Sequence, residues 1–429
     1  MHVVMFADQH VESLGGAQVS MRLQRRFLER AGHTVTIVAP RLHRPAPTDR
    51  AYVDLPSIPI TPDREYALSW PGIRTDRFVD AALAGRPPVD VVHVQADFWG
   101  AFIGHRYAAR HGLPVVHTMH NRVDVGIEAT APFPGLVLRV LNAWARRALR
   151  PALLRARDVR RIPRSSQDSA GILRDSADSA TFAREAPDGW AYLRRLAQLS
   201  AAVTAPSAHF ARRLEAHGAV PGADGQAAVD VVWNGIDDDI LDAALTAGPG
   251  ERPPGRPRFV WIGRMSPEKR LLPFLEAVAA SGIEADVEVI GGGAQLRAAR
   301  RLVERSRPVA SIRFSGRMPY AHTLARLAEA DAVVQTSIGF ETQGMTVFEA
   351  ASLGTPAVVS DPDIAAELGA GVWSVADASV AALAETLRRA AADIAAGSPV
   401  AVDPTIGERF RQSSRTAAMV AVYARAARR

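Results

Sequence analysis

Val3-Val4-Met5-Phe6-Ala7 is an unbroken apolar run, and after a short polar stretch Gly15-Gly16-Ala17-Gln18 opens a helical pattern that continues through Leu28. A run of that length, apolar on both alternating faces, suits a strand covered from both sides, which is the situation of a parallel sheet. The unit recurs. Residues 33–39, 89–94, 114–118 and 201–205 have the same composition, each separated from the next by helical or polar segments. Alternation of strand and helix predicts a doubly wound parallel sheet. Residues 249–257 are rich in Pro, Gly and Arg, a linker composition, and a second series follows with strands expected at 258–262, 286–290, 311–314, 332–335 and 356–359. The fold class is therefore α/β, with two Rossmann-like doubly wound domains facing each other across a cleft. The expected division is 1–248, with a Ser-, Asp- and Ala-rich insertion near 162–190, then 249–405. Residues 406–429 form a terminal helix that packs back on the first domain through Phe410, Val420 and Tyr423. In such sheets a ligand sits beyond the carboxyl ends of the strands.

The 429 residues suffice for two cores, and 48% apolar with 22% charged residues is the composition of a globular enzyme. There is no cysteine, which excludes disulfides, thiolate metal sites and a cysteine nucleophile. The first residues lack the basic flank of a signal peptide and read as a strand. No uncharged apolar run approaches the roughly 18 residues of a membrane span. The net charge of +6 is concentrated: residues 136–164 hold nine arginines and one acid, Asp158. At helical spacing Val137, Val140, Leu141, Trp144 and Ala148 fall on one face, and Arg139, Arg146, Arg147 and Arg150 on the other. Such a helix suits an anionic membrane surface, and equally a helix packed on its own domain beneath a solvated basic face. Nucleic acid is not expected, because no aromatic residues are interleaved with the arginines.

The segment richest in chemistry is Phe340-Glu341-Thr342-Gln343-Gly344-Met345-Thr346-Val347-Phe348-Glu349. Gly344 permits a close backbone approach at a helix start, and the amides of Met345 and Thr346 are then available to a phosphate. Glu349, one to two turns into that helix, can accept two ribose hydroxyls. Upstream, Gly263-Arg264-Met265-Ser266-Pro267-Glu268-Lys269 follows the first strand of the second series. Arg264 and Lys269 supply a fork and a point charge suited to a diphosphate. Lys269 is the only lysine in the chain. Asp361-Pro362-Asp363 and Asp237-Asp238-Asp239 have the form of metal-binding pairs, but they follow a late strand and adjoin the linker, so no metal is expected. Neither a G-x-S-x-G elbow nor a G-x-x-x-x-G-K-[ST] loop is present.

Together these motifs resemble the family 4 retaining glycosyltransferases of the GT-B fold. The resemblance rests on Gly15-Gly16-Ala17-Gln18, Pro206-Ser207, Asn234-Gly235-Ile236-Asp237, Gly263-Arg264 with Lys269, Gly291-Gly292-Gly293, Ser315-Gly316-Arg317 and the Glu341–Glu349 element. It implies that Glu349 holds the donor ribose and Glu341 the transferred sugar. Arg264, Lys269, Gly344, Met345 and Thr346 would bind the diphosphate, the backbone at Arg317 and Met318 the base, and Gly15 and Gly16 the donor. His120, in His117-Thr118-Met119-His120-Asn121, matches the family's histidine beside the reacting carbon; His93 reads as a core residue. The implied catalytic set is His120, Arg264, Lys269 and Glu341, with a nucleoside diphosphate sugar as co-substrate and no cofactor. Glu-Thr-Gln-Gly-Met-Thr is similar to the form found in enzymes that glucosylate diacylglycerol. With the basic stretch it predicts UDP-glucose as donor, a membrane lipid as acceptor and a cytoplasmic protein peripheral on the inner face of the membrane. GDP-mannose with a phosphatidylinositol or polyprenyl acceptor, a nucleotide-sugar epimerase and a non-catalytic binding module are the alternatives.

Overall fold

The computed structural model describes residues 1–13, 16–45, 47–161, 188–221, 228–248 and 255–428, with backbone alone at 124, 128–130 and 155–161. The chain divides into two compact units, residues 1–232 with 416–429, and residues 233–415.

In the first unit the strands are β1 (His2–Ala7), β2 (Thr34–Pro40), β3 (Tyr52–Leu55), β4 (Ile58–Pro59), β5 (Ala67–Leu68), β6 (Val91–Gln95), β7 (Val115–Thr118), β8 (Ala202–Ala205) and β9 (Asp230–Val231). Seven of them form one sheet in the order β3-β2-β1-β6-β7-β8-β9, and every pair in it is parallel. β4 and β5 make a separate antiparallel hairpin. The helices are α1 (Gly16–Arg30), α2 (Ile73–Ala84), α3 (Trp99–His111), α4 (Val123–Thr130), α5 (Pro134–Arg161), α6 (Gly189–Ala197) and α7 (Ala208–Ala216). β1 is buried at all six positions, as its uniform apolar sequence requires. Its side chains enter two clusters, Val4 and Phe6 on one face of the sheet and Val3, Met5 and Ala7 on the other.

The second unit holds α8 (Asp238–Ala247), β10 (Arg258–Arg264), α9 (Leu271–Ser281), β11 (Asp286–Gly292), α10 (Leu296–Ser306), β12 (Ser311–Gly316), α11 (Tyr320–Glu329), β13 (Ala332–Gln335) and α12 (Met345–Ser352). After these come β14 (Ala357–Val359), α13 (Pro362–Leu368), β15 (Val372–Ser374), α14 (Val380–Ala395) and α15 (Ile406–Phe410). Its sheet is parallel in the order β12-β11-β10-β13-β14-β15, so the connection reverses direction between β10 and β13. Ile236 and Leu241 belong to this unit's core, which is why its compact body starts at Trp233 rather than at the linker near 249.

Two expectations change at the level of elements. The terminal pattern is two helices, α15 and α16 (Gln412–Ala427), interrupted at extended Arg411. There the Ile236 amide donates to Phe410 O (2.7 Å) and the Gln412 amide to Ile236 O (2.8 Å), a short strand-like exchange that a continuous helix would forbid. Gly235 makes it possible, since a Cβ there would lie 2.6–2.7 Å from Gln412. From Thr416 onward α16 belongs to the first unit, where Met419, Val422 and Tyr423 pack against the β1 face of the sheet.

The second change concerns α5. Its packed face is Leu138, Leu141, Asn142, Ala145, Ala148, Leu149 and Ala152, while Val137 and Val140 are exposed together with Arg139, Arg146, Arg147 and Arg150. The core-facing stripe at i, i+3, i+4 and i+7 starts from Leu138, one position beyond the expected one. The helix packs on its own unit, as the second of the two readings expects, and leaves Val137 and Val140 exposed among arginines. Arg155 to Arg164 of the basic stretch, Gly15, and residues 162–187 of the expected insertion lie outside the described side chains; Asp188 caps α6 by accepting from the Ala191 amide (2.6 Å).

Candidate active site

In the second unit every expected site residue lies at or beyond the carboxyl end of a strand: Arg264 ends β10 and Lys269 follows it, Arg317 and Met318 come after β12, and Glu341 to Glu349 after β13. Gly291, Gly292 and Gly293 close β11 and run against the β10 turn. A Cβ on Gly291 (φ +130°) would lie 1.9 Å from Gly263 O, so only glycine allows the two loops to touch.

Two groups of contacts form here. In one, the Lys269 ammonium is paired with Glu341 Oε1, which also accepts from Ser337 Oγ (2.9 Å). Thr336 Oγ1 donates to Lys269 O (2.6 Å) and accepts from buried Trp261 Nε1 (2.9 Å), fixing the backbone that carries the lysine. Arg264 extends outward and binds Glu268 Oε1 (2.9 Å). Burial works to raise the Glu268 carboxyl, but bonds from Ser266, its own amide and Arg264 outweigh that and hold it below its ordinary range.

In the other group Tyr320 OH donates to Glu349 Oε1 (2.8 Å), joining the Arg317-Met318 segment to α12. Glu349 is buried, and burial pushes its carboxyl upward against the Tyr320 bond. Gly344 (φ +77°) starts α12, and a Cβ there would lie 2.7 Å from Ile364 Cδ1. As the N-cap, Gly344 offers no side-chain hydrogen bond to the first amides of α12, those of Met345 and Thr346 among them.

Several structural partners carry no motif signal. Gln343, inside the Glu341–Glu349 element, accepts from the Asn234 amide (2.9 Å) and Nδ2 (2.8 Å), tying Asn-Gly-Ile-Asp to the site. Asp361 accepts from the Gly339 amide (2.7 Å) and caps α13, and Asp237 caps α8, so these aspartates are helix and loop braces. Among the described residues no cluster of three His, Cys, Asp or Glu could hold a metal. A cavity of about 320 Å³ lies at the other ends of the strands, near Arg258, Asp286 and Ser311. Its Glu288 is already bound by Arg313 (2.6 Å) and Ser315.

The first unit brings a dense polar network to the ends of β1, β6 and β7. Asp8 follows β1 and accepts from the amides of Asp97 (2.7 Å), Phe98 (3.0 Å) and Gly100 (2.8 Å), capping α3, which has no side-chain cap of its own. Burial first, and then the nearby Asp97, push its carboxyl up to about 7 against those amides. Asp97 accepts from Asn121 Nδ2 (2.6 Å), while its Oδ1 is buried without a hydrogen bond. His117 is fully buried between Ala96 O (2.9 Å) and His105 (3.2 Å). His93 is likewise internal, held by Thr118 Oγ1 (2.7 Å) and Tyr423 OH (2.7 Å). His120 alone of these reaches the strand end and is half-buried, its Nε2 3.4 Å from Gln95 Oε1. Burial lowers its pKa, opposed by Asp97 and aided by His117. Gly16 begins α1 at the surface.

Two family models match the chain, "Glycosyltransferase Family 4" over residues 14–162 and "Glycosyl transferases group 1" over residues 256–393. No curated protein sequence matches. Among solved structures the chain is similar to sucrose-phosphate synthase of Thermosynechococcus elongatus (16% identity, TM-score 0.64, covering 99% of this chain and 98% of that one). It is also similar to Anabaena Alr3699/HepE in complex with UDP and glucose (14%, 0.60, 99% of each) and to the lipopolysaccharide outer core galactosyltransferase WaaB (14%, 0.57, 99% of each). With one family model on each α/β unit, the chain belongs to the glycosyltransferases that these two models describe, and the whole-chain likenesses show the GT-B fold.

Proposed function

We propose that the chain transfers glucose from UDP-glucose to the hydroxyl of a membrane lipid such as diacylglycerol, with retention at the anomeric carbon and without a metal. The observation that carries the donor side is the double tether of the Glu341–Glu349 element, Lys269 to Glu341 at one end and Tyr320 to Glu349 at the other. It holds a cation at one end and a buried carboxylate at the other, chemistry suited to a diphosphate and to ribose hydroxyls. Glu349 receives the ribose hydroxyls, the Arg317-Met318 backbone the base, and Lys269, Arg264 and the amides at Met345 and Thr346 the diphosphate. The Lys269–Glu341 pair keeps the ammonium oriented before the donor arrives. That the similar HepE structure holds UDP and glucose supports the choice of donor.

In this reading the bond from the sugar's C1 to the diphosphate oxygen breaks while the acceptor oxygen bonds to C1 from the same face. The acceptor proton passes to a diphosphate oxygen. Catalysis comes from stabilising the departing charge and from positioning, and His120 has the role beside the reacting carbon that the family resemblance implies.

The lipid acceptor is supported by surface composition. Ten of the thirteen exposed large apolar side chains among the described residues fall in two stretches of the first unit, 58–78 and 133–154. They are interspersed with exposed Arg74, Arg77, Arg139, Arg146 and Arg147. Trp70, 65% exposed, stacks on Trp144 of α5 at 5.3 Å and joins the two stretches. Apolar groups flanked by cations suit an anionic bilayer surface. Among the described residues no helix is long and apolar enough to cross a membrane, so we propose attachment at the inner face rather than insertion.

The test is nucleotide release from UDP-glucose with and without vesicles containing diacylglycerol, followed by anomeric assignment of the product. UDP release should require the lipid, and Lys269→Ala should lower turnover by about a hundredfold or more. Turnover of GDP-mannose instead, loss of UDP-glucose without UDP, or binding with no turnover would each overturn the reading in favour of a mannosyltransferase, an epimerase or a binding module.

A further inference from the structure

We propose that Gln95 sets the tautomer of His120, keeping its hydrogen on Nε2 and leaving Nδ1 as a bare acceptor at the strand end. Gln95 is the last residue of β6, and its side chain lies buried between β1, α1 and β7. Its Nε2 donates to Gln24 Oε1 of α1 and lies 3.8 Å from Met5 Sδ and 3.4 Å from His93 Nδ1. Its Oε1 faces His120 Nε2 at 3.4 Å.

An amide turned by 180° would exchange these roles, so the direction of the network needs a group that cannot reverse. Met5 is that group. A thioether only accepts, which sets the amide nitrogen of Gln95 toward it and the oxygen toward His120. Gln24 answers with its own oxygen. The rest of the network runs in the same sense: Tyr423 OH donates to His93 Nδ1 (2.7 Å), His93 Nε2–H to Thr118 Oγ1 (2.7 Å), and Thr118 to Thr204 (2.6 Å). A carbonyl oxygen opposite Nε2 is satisfied only by a hydrogen on that nitrogen. The other neutral tautomer would set two lone pairs against each other in a buried site. Nδ1 of His120 makes no hydrogen bond among the described residues. An imidazole so held accepts a hydrogen bond from a sugar or acceptor hydroxyl and offers it no N–H. Gln95 is thus a positioning residue, and its effect on turnover rests on the reading of His120 as a site residue.

Two-bond ¹H–¹⁵N NMR correlations of the histidine rings, with His120 assigned by its loss in His120→Asn, read the tautomer directly. The wild type should show Nε2–H, and Gln95→Leu should shift His120 toward Nδ1–H or a mixture. Gln95→Glu, which keeps an acceptor opposite Nε2, should retain the hydrogen there. In turnover Gln95→Leu should lose roughly tenfold or more in kcat with little change in the KM for donor, and Gln95→Glu should recover most of it. Gln95→Met serves in place of Leu should that variant fold poorly. An Nδ1–H ring in the wild type, or an unchanged ring in both apolar variants, overturns the proposal. Full activity in His120→Asn would instead remove His120 from the site while leaving the NMR result to decide the tautomer.

Discussion

At the scale of single residues, Asp8 shows how far a side chain's role depends on what the fold places around it. It accepts from three peptide amides as a helix cap does, yet burial and Asp97 outweigh those amides and leave its pKa at about 7, against 3.8 for a free side chain. Because the folded value is above the unfolded one, the folded state holds a proton that the unfolded state has released between these pH values. The associated stability is complete below about pH 4 and is lost as pH rises through about 7, on the order of a few kcal/mol. Urea midpoints measured from pH 4 to 8 should therefore fall with pH more steeply for the wild type than for Asp8→Asn. The variant exchanges one carboxyl oxygen for an amide NH2, which changes its absolute stability as well, so the slope is the readout; parallel profiles would show that Asp8 ionises normally. The residues that carried motifs, Arg264, Lys269, Glu341 and Glu349, could be picked from the sequence because their chemistry is uncommon at such spacing. Asp8, Gln95, Gln343 and Tyr320 could not. Each is an ordinary residue whose partner lies far along the chain: 29 positions for Tyr320 and Glu349, 109 for Gln343 and Asn234.

At the scale of elements, the buried central strands were legible because a parallel strand covered on both faces carries an apolar run, as at residues 3–7 of β1, 37–39 of β2, 259–262 of β10 and 332–334 of β13. β3, β9 and β15 were not, being edge or near-edge strands of two to four residues with mixed burial. The packed face of α5 lies one position from the expected one because arginines and apolar residues are mixed along it, and contact with α3, α4 and α6 selects the stripe that packs. What that packing leaves outside is the basis of a further expectation. Vesicles rich in anionic lipid should retain the wild-type protein at low ionic strength and release it as salt screens the arginines. Arg146→Glu with Arg147→Glu should weaken retention by roughly thirtyfold or more, at about 1 kcal/mol per cation removed. Trp70→Ala should weaken retention even in high salt, since it removes apolar rather than ionic contact. Equal retention of all three proteins would exclude this surface as the site of membrane contact.

At the scale of the whole molecule, the described hydrophobic clusters separate cleanly: two belong to the first unit and two to the second, and none has a member in both. Each unit thus has the buried apolar surface of an independent folding domain. Gly15 and Gly16 apart, the groups proposed for base, ribose and diphosphate lie on the second. UDP should accordingly stabilise residues 233–415 selectively, by about 2.7 kcal/mol at a hundred times its Kd. For a unit of this size that corresponds to a rise in unfolding temperature of roughly 5–10 °C. Amide hydrogen exchange followed by mass spectrometry can assign the gain, with slower exchange expected at α12 and at the turns after β10 and β12. Gly344→Ala should weaken it, because alanine is strained at φ +77° and its added carbon meets buried Ile364 Cδ1 at 2.7 Å, so the first turn of α12 must shift. Protection by UDP confined to the first unit's strands, with α12 unchanged, would move the nucleotide to the other sheet and reverse the division of labour proposed for the two halves.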